Sequence, residues 1–144
     1  MTRFLLPLPI AINLVIVALN TAQNGDILVR KAPASTIKDI AESMLEIFNS
    51  NFGIETVGIR EGEKMHETLA SKEELLRSEN MGDYLRVNMD DRDLNYNKYL
   101  SEGDKKFVKL EDYTSQNTIR LTLKEVEAML LDQPEVISEL NQKR

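Results

Sequence analysis

The sequence predicts a mixed α/β chain, and three observations support that class. Apolar residues recur at three- and four-residue spacing through Ile37, Ile40, Ala41, Met44, Leu45 and Phe48, the period of an amphipathic helix. Short runs rich in branched and aromatic side chains, "GDILVRKA", "IETVGI" and "DYLRV", alternate with helical segments and read as strands. Three pairs, Thr36 with Asp39, Ser71 with Glu74 and Thr122 with Glu125, have the spacing of a capping box.

Taken in order, the first element is the most ambiguous. "FLLPLPIAINLVIVAL", residues 4 to 19, is almost wholly apolar, with Arg3 before it and "NTAQN" after it. A basic start, a short apolar stretch and small residues describe a secretory signal. The same residues describe a buried helix. Pro7 and Pro9 would fall before or in its first turn, where a missing N–H costs little, and Asn13 and Asn20 would share one narrow polar stripe. The stretch is too short for a comfortable membrane span.

The strand "GDILVRKA" follows a Gly-Asp turn. The helix "STIKDIAESMLEIFNSNFG" comes next, ended by Asn51 to Gly53, with Lys38 on its exposed face. "IETVGI" predicts a second strand, and "REGEKMHETLAS" a turn entering a helix. "KEELLRSENMG" predicts a helix, and "DYLRV" a third strand. From Asp90 the chain turns polar, with scattered aromatics. It reads as a long irregular tail that packs through Tyr96, Tyr99, Phe107 and Tyr113. "TLKEVEAMLLDQ" is a last helix, followed by Pro134.

Composition excludes several functions. The 144 residues suffice for one domain with a real core. A net charge of −6, with no basic patch interleaved with aromatics, argues against a nucleic-acid partner. There is no cysteine, hence no disulfide and no thiolate metal site; this suits a reducing cytoplasm. The lone His66 leaves no two-histidine site. Glu63-x-x-His66 is half of a di-metal motif that needs two copies, so no metal is expected. The glycines at 25, 53, 58, 62, 82 and 103 spell no dinucleotide fingerprint and no phosphate loop. No Tyr-x-x-x-Lys and no nucleophile elbow occur, so no catalytic and no cofactor-binding residue is expected in this chain.

One short segment does carry binding chemistry. "GIREGEKMHETL", residues 58 to 69, holds three acids, two bases and the single histidine. Gly62 at a turn lets backbone N–H groups face an anion, and Arg60 can fork onto a phosphate or carboxylate. Glu63 can accept hydrogen bonds from sugar hydroxyls, and Lys64 adds a point charge. The bland alternative is a solvated first helical turn.

Several stretches occur in one order: "MTRF", "NGDILVRKAPASTIKDIAE", "GIREGEKMHETL", "MGDYLRV", "RDLNYNKYLSEGD" and "DYTSQNTIRL". Together they resemble the C-terminal part of bacterial polysaccharide-biosynthesis nucleotide-sugar enzymes. These are the UDP-N-acetylglucosamine 4,6-dehydratase/5-epimerases and UDP-sugar 4-epimerases of the extended short-chain dehydrogenases. The tail with "TSQNT" is most similar to the inverting dehydratase branch.

The resemblance implies a Rossmann domain holding NADP or NAD and the catalytic Tyr-Lys pair, which is absent here, and a smaller domain holding the UDP-sugar. It implies that Arg60 and Glu63, with Lys64 beside them, face the nucleotide, and that Thr2, Arg3 and Phe4 lie beside the substrate cleft. It divides the chain into a substrate-binding α/β region, residues 1–89, and a C-terminal extension, residues 90–144. It assigns "TRF" and the helix after it to the mature domain rather than to a signal. Where relatives carry an acidic helix start, this chain has Pro9 and Ile10. Met1 matches an internal methionine of relatives, which implies a split or truncated reading frame or a stand-alone domain. The expected partners are a UDP-sugar and either the missing Rossmann half or a second copy, with no nucleic acid and no membrane, in the cytoplasm. A non-catalytic remnant or partner-binding domain is the alternative.

Overall fold

The computed structural model describes residues 1–89 and 111–142. The expected tail contacts Tyr96, Tyr99 and Phe107 lie outside the described residues. The described residues form a mixed α/β chain that divides into two compact units interleaved along the sequence. One is built from Met1–Pro7, Ala32–Glu67 and Ser115–Arg144, the other from Leu8–Lys31 and Thr68–Thr114.

In the first unit, β1 (Thr2–Phe4) pairs antiparallel with β3 (Ala34–Thr36), with Arg3 opposite Ser35. Ala34 also makes an isolated parallel bridge with Arg120. Helix α2 (Ile37–Ile47) starts where the sequence predicts. Thr36 Oγ1 accepts from the Asp39 amide and the Asp39 carboxylate accepts from the Thr36 amide, a complete capping box.

The helix ends earlier than predicted: Phe48 is its C-cap and Asn49 turns the chain at a φ of 45°, so Asn51 to Gly53 lie beyond it. It packs on α4 (Leu123–Leu131), which Thr122 and Glu125 cap in the same way. The fully buried residue of α2 is Ser43, whose hydroxyl donates to the Leu123 carbonyl at 3.4 Å, while Ile37 is exposed. A small side chain at that point lets the helices approach. Val126 of α4 is completely buried; burial of such a side chain contributes about 1.5–3 kcal/mol. Pro134 does more than follow α4, since it opens a further helix, α5 (Pro134–Gln142), at a position where its missing N–H has no partner to lose.

The second unit holds α1 (Leu8–Thr21) and a three-stranded antiparallel sheet in the order β2 (Ile27–Arg30), β6 (Tyr84–Val87), β5 (Ser78–Met81). Strands β5 and β6 form a hairpin in which Met81 faces Tyr84 across Gly82 and Asp83. Gly82 takes a φ of 74°, which a two-residue hairpin loop demands. This hairpin replaces the predicted long helix: α3 (Lys72–Leu76) is one capped turn, after which "SENM" is strand. Val29, Leu85 and Val87 form the core of this unit, with Leu75 packed against it. A small ladder joins β4 (Thr68–Ala70) to β7 (Tyr113–Thr114).

Two further expectations fail. "IETVGI" forms no strand: residues 54–59 are exposed and outside any ladder. "REGEKMHETLAS" enters no helix; its turn leads into β4.

For the apolar stretch near the N-terminus, the structure shows a helix. Among the described residues no helix is long and apolar enough to cross a membrane. Ala11, Leu14, Val17 and Ala18 are half-buried, and Asn13 donates to the Tyr84 hydroxyl at 3.0 Å. Leu8, Ile12, Val15, Ile16 and Leu19 remain exposed, Leu19 at 82%. A contiguous apolar face of this kind promotes association. The chain alone is expected to run as a self-associated species in size-exclusion chromatography with light scattering. Val15→Lys with Leu19→Lys should shift it toward monomer without lowering its melting temperature. A clean monomer before substitution would contradict this.

Candidate functional site

The charged segment is fixed at one end by the N-terminal strand. Thr2 donates its amide to the Met65 carbonyl at 2.9 Å, and Phe4 donates its amide to the Glu67 carboxylate at 3.0 Å. Arg3 Nε stands 3.7 Å from the same carboxylate. The Thr2 hydroxyl lies 2.8 Å from His66 Nδ1 and 2.7 Å from the Ser115 hydroxyl. Ser115 in turn accepts from the Glu67 amide at 2.9 Å and donates its own amide to the Glu67 carbonyl at 2.8 Å. The Ser115 hydroxyl also lies 3.2 Å from the Thr2 carbonyl, so its one proton is shared between the two Thr2 oxygens, and with the His66 proton on Nε2 the Thr2 hydroxyl donates to Nδ1.

At its other end the segment makes a tight turn. Glu63 donates its amide to the Arg60 carbonyl at 3.1 Å, and its carboxylate accepts from the Arg60 amide at 3.2 Å. Gly62, third in the turn, takes a φ of 80°, the left-handed position that favours glycine. Arg60 and Glu63 both line an open cavity of about 790 Å³. Its walls are the start of α2, the irregular segment 54–60 and Met1, within the first unit. That volume suits a nucleotide-sized ligand.

The six sequence-predicted residues therefore fall in different places. Arg60 and Glu63 share the cavity. Lys64 is exposed and is not among the cavity-lining residues. Thr2 is buried in the polar knot, with Arg3 beside it. Phe4 lines a separate, mostly apolar cavity of about 310 Å³. Two residues outside the predicted set take part. Ser115 ties the segment down, although only its place in "TSQNT" marks it out. Lys38 is exposed, as expected, yet it lies on the wall of the larger cavity.

The Asp39 carboxyl is held below its ordinary value, first by the Thr36 hydroxyl and then by the Thr36 amide, the Ser35 hydroxyl and the charge of Arg120, against the opposing effect of burial. A depressed carboxylate stabilises the fold above its unfolded value of 3.8, and that stabilisation is lost as pH falls through the lower folded value.

Two measurements test this local account. Thr2→Val keeps the shape and the backbone carbonyl that accepts from Ser115, but removes the hydroxyl that His66 Nδ1 and Ser115 Oγ share. It should lower stability by about 1–3 kcal/mol in denaturant titration, and a change under about 0.5 kcal/mol would remove the knot's importance. Asp39→Asn should lower the melting temperature at neutral pH. Its deficit should vanish as the solution is acidified below 3.8.

Comparison with known proteins gives the class. Residues 1–89 match the family described as polysaccharide biosynthesis protein, and residues 90–136 match its C-terminal counterpart. The chain belongs to the polysaccharide biosynthesis protein family. It is 50% identical over 140 residues to a UDP-glucose 4-epimerase of Rickettsia bellii (strain OSU 85-389), covering 97% of this chain and 41% of that protein. It is 50% identical over 131 residues to a UDP-glucose 4-epimerase of Rickettsia canadensis (strain McKiel), covering 91% of this chain and 38% of that one. A crystal structure of Pen from Bacillus thuringiensis superposes with a TM-score of 0.72 at 27% identity, covering 93% of this chain and 38% of that chain. The chain thus spans about 41% of the length of the Rickettsia bellii relative.

Proposed function

We propose that this chain forms the UDP-sugar-binding part of a nucleotide-sugar 4-epimerase or 4,6-dehydratase of the extended short-chain dehydrogenase class, acting in surface-polysaccharide biosynthesis in the cytoplasm. The observation that carries the reading is the cavity of about 790 Å³ into which one short turn brings Arg60 and Glu63. The guanidinium supplies a planar fork for a phosphate. The Glu63 carboxylate, oriented by the Arg60 amide, has acceptor capacity left for ribose or sugar hydroxyls. Residues 1–89 form the nucleotide-sugar region in this reading, and residues 90–144 an extension of it. The relatives' name favours C4 epimerisation of UDP-glucose, and UDP-N-acetylglucosamine is the substrate that the family resemblance of the sequence offers.

The described residues do not fit a dinucleotide. The glycines spell no fingerprint, and the named strands pair antiparallel in ladders of two or three, with no strand-helix-strand crossover between parallel neighbours. In this reading the chain contributes no group to a hydride step. In the assembled enzyme the hydride chemistry belongs to NADP or NAD, bound by the part of the relatives that this chain does not span. That part, or a second copy, is the partner this reading requires.

Arg60→Ala should raise the dissociation constant for a UDP-sugar about tenfold or more, the cost of a lost charge-assisted contact to phosphate. Calorimetry with UDP-glucose and UDP-N-acetylglucosamine measures it and ranks the two sugars. Unchanged affinity would return the charged segment to an ordinary solvated turn.

A further inference from the structure

The cavity holds a second cation that the resemblance does not assign. Lys38, in the first turn of α2, lines it together with Arg60. Of the acids on the same walls, Asp39 is engaged in the helix cap and Glu63 in the turn, and Glu55 is exposed. Lys38 Nζ is paired with Glu42 at 3.3 Å, one helical turn on, with the lysine side chain 74% exposed. Such an exposed pair is weak and readily exchanged for a more highly charged anion.

We propose that Lys38 is a second phosphate-binding residue of this cavity, holding the diphosphate of the ligand jointly with Arg60. The inference rests on the nucleotide-sugar reading of the site and names a further contact within it. A diphosphate carries two anionic groups in series. A guanidinium fork suits one, and a mobile ammonium on a four-carbon stem suits the other. The two cations come from different segments, so a ligand held by both bridges the start of α2 and the turn at Gly62. Glu42 then acts as a resident counter-charge that the ligand displaces.

Calorimetry on the full chain with UDP and with uridine separates the possibilities. Lys38→Ala should weaken UDP binding about three- to tenfold and leave uridine binding unchanged, while Lys38→Arg should retain most of the affinity. Glu42→Gln, which removes the competing carboxylate, should tighten UDP binding. Lys38 is exposed, so its two substitutions do not threaten the fold, and Glu42→Gln preserves the size of the side chain. If Lys38→Ala binds UDP as the natural chain does while Arg60→Ala binds it more weakly, the Lys38 inference fails and the nucleotide-sugar reading stands. Equal losses for UDP and uridine would also overturn it, since the effect would not be a phosphate contact. No UDP binding by the natural chain would overturn both.

Discussion

The hydroxyl of Thr2 is the constraint on which the first unit depends. It joins the N-terminal strand to His66 and Ser115, residues 64 and 113 positions away, inside a buried polar knot. A knot of this kind contributes little net energy per bond, roughly 0.5–1.5 kcal/mol, but an unsatisfied buried member costs about 1–3 kcal/mol. Its effect is therefore on specificity of arrangement. A shift of β1 by one residue would turn the Thr2 hydroxyl away from both partners, leaving Ser115 only its bonds to Glu67.

From that fixed point the charged segment runs back toward the cavity. Met65, His66 and Glu67 are held by strand β1, and four residues upstream of the Glu67 clamp the Arg60–Glu63 turn closes on itself. Between Phe48 and this turn lies a stretch without helix or strand whose apolar side chains are largely exposed, Phe52 at 83% and Val57 at 72%. The rigid end sets where the guanidinium of Arg60 starts, and the irregular stretch supplies one wall of the cavity. The local fold thus gives three of the five charged side chains in residues 58 to 69 a place: Glu67 clamps the segment to β1, and Arg60 and Glu63 line the cavity.

What the sequence made legible was local. All three capping boxes occur as read, because a cap needs only residues three positions apart. The strands "ILVR" and "YLRV" were visible because branched and aromatic side chains pack on a half-buried sheet. Most of the failures have a non-local cause, the β5–β6 hairpin being the local exception. β1, β3, β4 and β7 are two or three residues long and exist only through partners far along the chain. "SENM" has no strand composition, and the Gly82–Asp83 turn folds it onto β6. "IETVGI" has the composition but no partner among the described residues, so its branched side chains line a cavity instead. Within the site, Arg60 and Glu63 stood out as charges beside a glycine. Ser115 and Lys38 could not, since a buried serine and an exposed helical lysine have no distinguishing local pattern.

The central claim is that the Arg60–Glu63 turn and the start of α2 bind a UDP-sugar. The most direct measurement is a two-dimensional amide NMR titration of the natural chain with UDP-N-acetylglucosamine and UDP-glucose. Binding at this cavity predicts saturable shifts confined to the amides of Gly58 to Glu63 and of Ile37 to Asp39. The amides of the β5–β6 hairpin should stay in place. Absence of shifts in residues 58 to 63 at millimolar ligand, or saturable shifts elsewhere only, would contradict the account.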